Sequence, residues 1–169
     1  MNQSSLDNAV LLRPDVWAVD NLFDQTELIS ILHDISTEQD WQLVELQEHM
    51  PRQSIVWTDN GVLDRLWSML NELDFGKFGI KFKNVTVWKD VAPYCIADHV
   101  DNDRVVAAMQ IYLNEGPMDI GTWFEDCQVP FVGNSGYIMH NRNKLMHGMK
   151  TPVPDGFVRY SMYALFDAV

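Results

Sequence analysis

Residues 79–90 read GIKFKNVTVWKD, a short β-branched and aromatic run, and the chain beyond them keeps the same texture. RVVAAMQIYLNEG (104–116), GTWFED (121–126), VPFVG (129–133), SGYIMHN (135–141), KLMHGM (144–149) and FVRYSMYALF (157–166) follow, broken by Gly, Pro and Asn. Strands this short and numerous, with no helical segment between them, predict an antiparallel sandwich or barrel and argue against a βαβ arrangement. KTPVPDG (150–156) is a loop with strong turn chemistry.

Upstream the period changes. VWAVDNLF (16–23) alternates as a short strand would, and DQTELISILHDIS (24–36) carries Leu28, Ile29, Ile31, Leu32 and Ile35 on an approximately helical period. Asp24 precedes Glu27 by the spacing of a capping box. NGVLDRLWSMLNEL (60–73) predicts a second helix with one apolar stripe, Leu63, Leu66, Trp67, Leu70 and Leu73. These side chains are read as core, and the chemistry is expected in the β half. The expected organisation is one domain over residues 1–169, with a strand and helix scaffold at 1–78 and a β core at 79–169.

The 169 residues, 47% hydrophobic and 11% aromatic, suffice for one full-sized core. A net charge of -12 repels phosphate backbones and weighs against non-specific nucleic-acid binding. MNQSSLDNAV (1–10) lacks a basic start followed by an apolar run, and no stretch approaches the roughly 18 apolar residues of a membrane span. Cys95 and Cys127 form no CxxC pair, so neither a thiolate zinc site nor a disulfide framework is indicated. The expectation is an unexported cytoplasmic protein without nucleic-acid or membrane partners.

DHVDN (98–102) places a histidine and a carboxylate two positions apart at a strand running into a turn. With five histidines and 17 aspartates, chance alone supplies roughly half a His-x-Asp in such a chain, so the triplet needs companions. A metal that must bind two further ligands needs a protein occupying one face of its octahedron, and two imidazoles with one carboxylate do this. His99 and Asp101 point to the same side at strand spacing. The third ligand lies downstream, where His140 and His147 are the candidates; Gly148 beside His147 permits close backbone approach. In FVRYSMYALF, Arg159, Ser161 and Tyr163 share one face, and an interior guanidinium beside a hydroxyl suits a ligand carboxylate.

These residues, over roughly 84–167, resemble the 2-oxoglutarate and iron(II)-dependent dioxygenases, and specifically their prolyl 4-hydroxylase-like branch. The family's metal triad matches His99, Asp101 and His147, its cosubstrate anchor matches Arg159 and Ser161, and its HxDN and YLN elements match 99–102 and 112–114. GTWFED resembles the family's Gly-Gly-x-Thr-x-Phe strand, with Ile120 in place of the first Gly. The implied fold is α+β and mainly β, a double-stranded β-helix (jelly-roll, cupin-like) core with N-terminal supporting helices. The implied cofactors are Fe(II), 2-oxoglutarate as cosubstrate and O2, with ascorbate as reductant. By the same resemblance the Tyr112 hydroxyl bonds the cosubstrate. Arg52-Gln53-Ser54 also fits Arg-x-Ser, but in a region with no companion motif, and is set aside.

The resemblance implies hydroxylation of an unactivated C–H bond coupled to oxidative decarboxylation of 2-oxoglutarate to succinate. A prolyl residue in a peptide or protein is the first substrate reading, and free proline or another amino acid the next. Nucleic-acid demethylases of this superfamily carry a second Arg shortly after the first, whereas Tyr-Ser-Met-Tyr-Ala-Leu-Phe follows Arg159 here. A reading from a different class is a cupin-like metal-binding module without oxygenase activity, which would have no need of Arg159 and Ser161 inside. His33 and His49 are read as structural, and His140, in the turn HNRN, as a rival to His147. Trp88 and Tyr94 are read as pocket lining or core, Met139, Met146, Met149 and Met162 as gap-filling side chains around the site, and EGPMDIG (115–121) as a lid candidate.

Overall fold

The capping box read at Asp24 is present in the computed structural model, which describes residues 9–44, 51–56, 61–72 and 75–169. The Asp24 carboxylate accepts from the Glu27 amide at 2.9 Å, and the Glu27 carboxylate accepts from the Asp24 amide at 3.0 Å, which fixes the start of the first helix. In chain order the elements are β1 (Val10–Arg13), β2 (Val16–Asp20), α1 (Gln25–Thr37), β3 (Gln42–Val44), β4 (Arg52–Ile55), α2 (Gly61–Glu72) and β5 (Ile80–Val91). Then come β6 (Ala107–Tyr112), β7 (Thr122–Phe124), β8 (Cys127–Val129), β9 (Ser135–His140), β10 (His147–Gly148) and β11 (Val158–Ala168).

Two sheets form. The larger runs β1-β2-β9-β6-β11-β5-β4-β3, and the smaller runs β10-β7-β8; the strand pairs are antiparallel. This is the expected mainly β architecture, with both α-helices in the N-terminal half. Among the described residues no helix is long and apolar enough to cross a membrane.

The period of two in each strand sorts side chains into two apolar layers. On one face of the large sheet, Val85, Val87, Met109, Ile111, Ile138, Met162, Ala164 and Phe166 pack with Ile31 and Ile35 of α1 and Leu66 and Leu70 of α2. Between the two sheets, Tyr112, Phe124, Val129, Phe131, Tyr137 and Met139 form the second layer, joined by Tyr94. Burying the larger of these side chains contributes about 1.5–3 kcal/mol each before the chain entropy is counted. Along β11 the alternation sends Met162, Ala164 and Phe166 toward the helices and Arg159, Ser161 and Tyr163 to the opposite face.

Several expectations shift. Ile29 is exposed, and Trp67 is partly exposed with its ring edge-on to Phe82 at 4.8 Å, so the helix stripes are narrower than the period implied. Met162 belongs to the helix-facing layer and Met146 is exposed; of the four methionines only Met149 lines the cavity described below. In EGPMDIG, a Cβ on Gly121 would meet the Val129 carbonyl oxygen at 2.1 Å, and Ile120 is fully buried. The end of that segment is packed against the small sheet, whereas Glu115, Pro117, Met118 and Asp119 are exposed. Leu73 and His49 lie outside the described residues.

Candidate metal centre

His99 and His147, 48 positions apart in sequence, meet through their backbones. Each amide donates to the other's carbonyl at 2.9 Å, so the segment after β5 joins the edge of the small sheet beside β10. Gly148 is required for this crossing: a Cβ there would lie 2.8 Å from both the Asp98 amide nitrogen and its Oδ1. The two imidazoles then face one another with centroids 4.4 Å apart.

Each ring is oriented by a carbonyl two residues before it. His99 Nδ1 lies 2.9 Å from the Ala97 oxygen and His147 Nδ1 lies 2.9 Å from the Leu145 oxygen. A carbonyl can only accept, so both Nδ1 atoms carry the proton and both Nε2 atoms present lone pairs. Both Nε2 atoms lie 3.7 Å from the same Asp101 oxygen, Oδ1, and the three ligand atoms fall within 4.8 Å of one another. The other oxygen, Oδ2, accepts from the Tyr163 hydroxyl at 3.4 Å. Among the described residues no other three His, Cys, Asp or Glu side chains gather in this way.

Burial pushes the His147 imidazole below its ordinary value, and its ring stacks on Phe124 at 5.5 Å. A buried imidazole held neutral, a second imidazole with the same tautomer and one carboxylate are the donor set of a facial metal triad, with the opposite face left for other ligands. The residues fit a divalent iron-type ion.

The triad forms one wall of a cavity of about 330 Å³, a size suited to a small ligand. Arg52, Trp88, Tyr94, Tyr137, Arg159 and Tyr163 contribute further walls. Arg159 stands four residues along β11 from Tyr163, about 13 Å in strand rise, and is almost fully buried. Its Nη1 donates to Asp90 Oδ2 at 2.6 Å, while its Nε is buried without a partner. The fully buried Tyr94 hydroxyl is likewise unpartnered, and burial raises its pKa. Asn114 of the YLN element fixes the start of β11: its side chain donates to the Val158 carbonyl and accepts from the Tyr160 amide, each at 2.9 Å.

Two of the expected cosubstrate contacts are placed differently. Tyr112 does not line the cavity, and its hydroxyl donates to Thr122 Oγ1 and accepts from the Thr122 amide, both at 2.9 Å. Ser161 is fully buried and accepts from Gln110 Nε2 at 3.0 Å; Gln110, which does line the cavity, also accepts from the Tyr137 hydroxyl at 3.0 Å. His140 is outside the cavity, at the end of β9 opposite Ala107. Arg52, set aside on sequence grounds, is a cavity wall.

No family model and no curated protein matches the sequence. Solved structures do match. HygX from Streptomyces hygroscopicus, with nickel and 2-oxoglutarate bound, has a TM-score of 0.67 at 11% identity over 97% of this chain and 85% of that one. A Pseudomonas putida prolyl-4-hydroxylase has a TM-score of 0.61 at 17% identity over 98% and 96%. SnoN, a non-heme alpha-ketoglutarate-dependent epimerase from nogalamycin biosynthesis, has a TM-score of 0.68 at 13% identity over 97% and 80%. The chain therefore has the jelly-roll fold of the 2-oxoglutarate and iron(II) oxygenases.

Proposed function

We propose that this protein is a 2-oxoglutarate- and iron(II)-dependent dioxygenase that hydroxylates an unactivated C–H bond. One observation carries the reading: two Nε2 atoms and one carboxylate converge at a cavity wall, and a buried guanidinium lines the same cavity. His99, Asp101 and His147 would hold the metal. Iron(II), with 2-oxoglutarate and dioxygen, supplies the oxidising chemistry when bound.

The chain's own residues do the positioning. The Ala97 and Leu145 carbonyls hold the imidazole tautomers, and Tyr163 steadies the Asp101 carboxylate. Arg159, with the Tyr94 hydroxyl, offers unpartnered buried donors to the far carboxylate of the cosubstrate. Apolar and aromatic walls, among them Ile96, Met149 and Trp88, limit water around the reacting atoms.

The substrate class we favour is a prolyl residue in a peptide or protein, because HVDN and YLN follow the prolyl-hydroxylase pattern and prolyl hydroxylases share the fold. Free amino acids are the second reading. The test is succinate formation from 2-oxoglutarate with iron(II) and ascorbate, together with a screen of proline-containing peptides and free amino acids for a gain of one oxygen mass. Absence of succinate and of 2-oxoglutarate binding would leave a cupin-like metal-binding module.

A further inference from the structure

Arg159 is not a free cation. Asp90, which has no solvent exposure, accepts from Arg159 Nη1 at 2.6 Å, and the same carboxylate accepts from Arg52 Nε at 2.6 Å and Arg52 Nη2 at 3.0 Å. The sheet register produces this cluster. Asp90 on β5 is directly opposite Arg159 on β11 and directly opposite Arg52 on β4, so three adjacent strands form an Arg-Asp-Arg rung. The Arg52 guanidinium is held between two rings, 4.4 Å from the Trp88 centroid and 4.2 Å from the Tyr94 centroid.

The charge count decides what the rung can do. Arg159 with Asp90 alone is a neutral pair, and a buried neutral pair has little pull on an anion. Arg52 leaves one positive charge in excess at a site screened poorly by water. An excess buried cation is costly unless an anion joins it. The unpartnered Arg159 Nε and Tyr94 hydroxyl belong to the same cluster, so both donors and net charge match one carboxylate.

We propose that Arg52 is a specificity-determining residue, supplying the net charge by which the cavity selects a 2-oxo diacid over a 2-oxo monoacid. Asp90 is the positioning residue that fixes both guanidiniums. This rests on the oxygenase reading, since it takes 2-oxoglutarate as the diacid. Arg52 is set by β4, next to the edge strand of the large sheet, and its fit to Arg-x-Ser gave no sign of this role.

The test is titration calorimetry on manganese-loaded protein, with 2-oxoglutarate and 2-oxobutyrate as probes that share the chelating end and differ in the far carboxylate. Wild type is expected to prefer 2-oxoglutarate. Arg52→Gln should weaken 2-oxoglutarate about tenfold or more, the effect of one charge-assisted contact, and leave 2-oxobutyrate unchanged. Arg52→Lys keeps the charge but loses the two-point bond to Asp90 and the stacking between the rings, so it should fall between wild type and Arg52→Gln. Arg52→Gln with Asp90→Asn restores a single excess positive charge while releasing Arg159 from its carboxylate, and should recover part of the preference. If Arg52→Gln does not fold, Arg52→Met, which also removes the charge and fills the space between the Trp88 and Tyr94 rings, is measured in its place with the same expectation. Unchanged 2-oxoglutarate affinity in a folded Arg52→Gln protein, or equal weakening of both probes, would overturn the role of Arg52 alone. Wild type that binds neither keto acid would overturn the oxygenase reading and this inference together.

Discussion

His99 and His147 are a backbone pair before they are a side-chain pair: their reciprocal 2.9 Å amide bonds set where the two imidazoles lie. The spacing of the two imidazoles is thus inherited from main-chain pairing, and Gly148 guards it. Gly148→Ala would drive a Cβ into Asp98 and separate the strands. Metal affinity, measured by competition with a chromogenic chelator, is expected to fall about tenfold or more, comparable to the loss of an orienting partner. Unaltered affinity would show that the close approach is dispensable.

Tyr163 is the only side chain bonded to Asp101 Oδ2 among the described residues. Tyr163→Phe keeps the ring and frees the carboxylate to rotate. Metal affinity should drop roughly tenfold, with little change in melting temperature, since the bond is long and the site partly open.

The two tyrosines behind Arg159 should respond in opposite ways. Tyr112→Phe breaks hydroxyl bonds with Thr122 and is expected to cost about 1 kcal/mol of stability while leaving 2-oxoglutarate affinity intact. Tyr94→Phe removes a buried hydroxyl that has no protein partner, so stability should hold and 2-oxoglutarate affinity should fall. Chemical denaturation and calorimetry on both variants separate the roles; a selective loss of affinity in Tyr112→Phe would return the contact to that residue.

Acid should destabilise the metal-free protein through His147. Burial is the largest influence on this imidazole and holds it below its ordinary value of 6.5, with the Leu145 carbonyl and Asp101 opposing. The unfolded chain therefore binds the proton at higher pH than the folded one. The stability contributed by the neutral ring is present above 6.5 and is lost as the pH falls from there through the folded value. Denaturation midpoints across that range should fall with pH, and His147→Gln should flatten the slope.

Local signals in the sequence were reliable where the physics is local. The Asp24 and Glu27 cap, the strand at Val16–Asp20 and the same-face setting of Arg159 and Tyr163 depend on neighbours a few residues away, and each is found as read. His99, Asp101 and His147 were legible from order and spacing, and Gly148 signalled the close approach. What escaped depends on how separate strands meet, through the register of β4 on β5 and the packing of the small sheet on the large one. Nothing near Arg52 announces that it faces Asp90, and nothing near Tyr112 announces that Thr122 takes both its hydroxyl bonds. Ile29 and Trp67 fit a helical stripe, yet α1 and α2 each lie on a sheet that covers only part of their circumference.

The β4 strand is four residues long and has only β3 beyond it. Because side chains alternate, a slip of one residue would bring Pro51 or Gln53 opposite Asp90 and swing the guanidinium of residue 52 to the other side. Ligand choice at the heart of the molecule is thereby tethered to the alignment of a short ribbon near its margin. Insertions or deletions in the connections flanking that ribbon could retune the cavity while every residue inside it stayed the same.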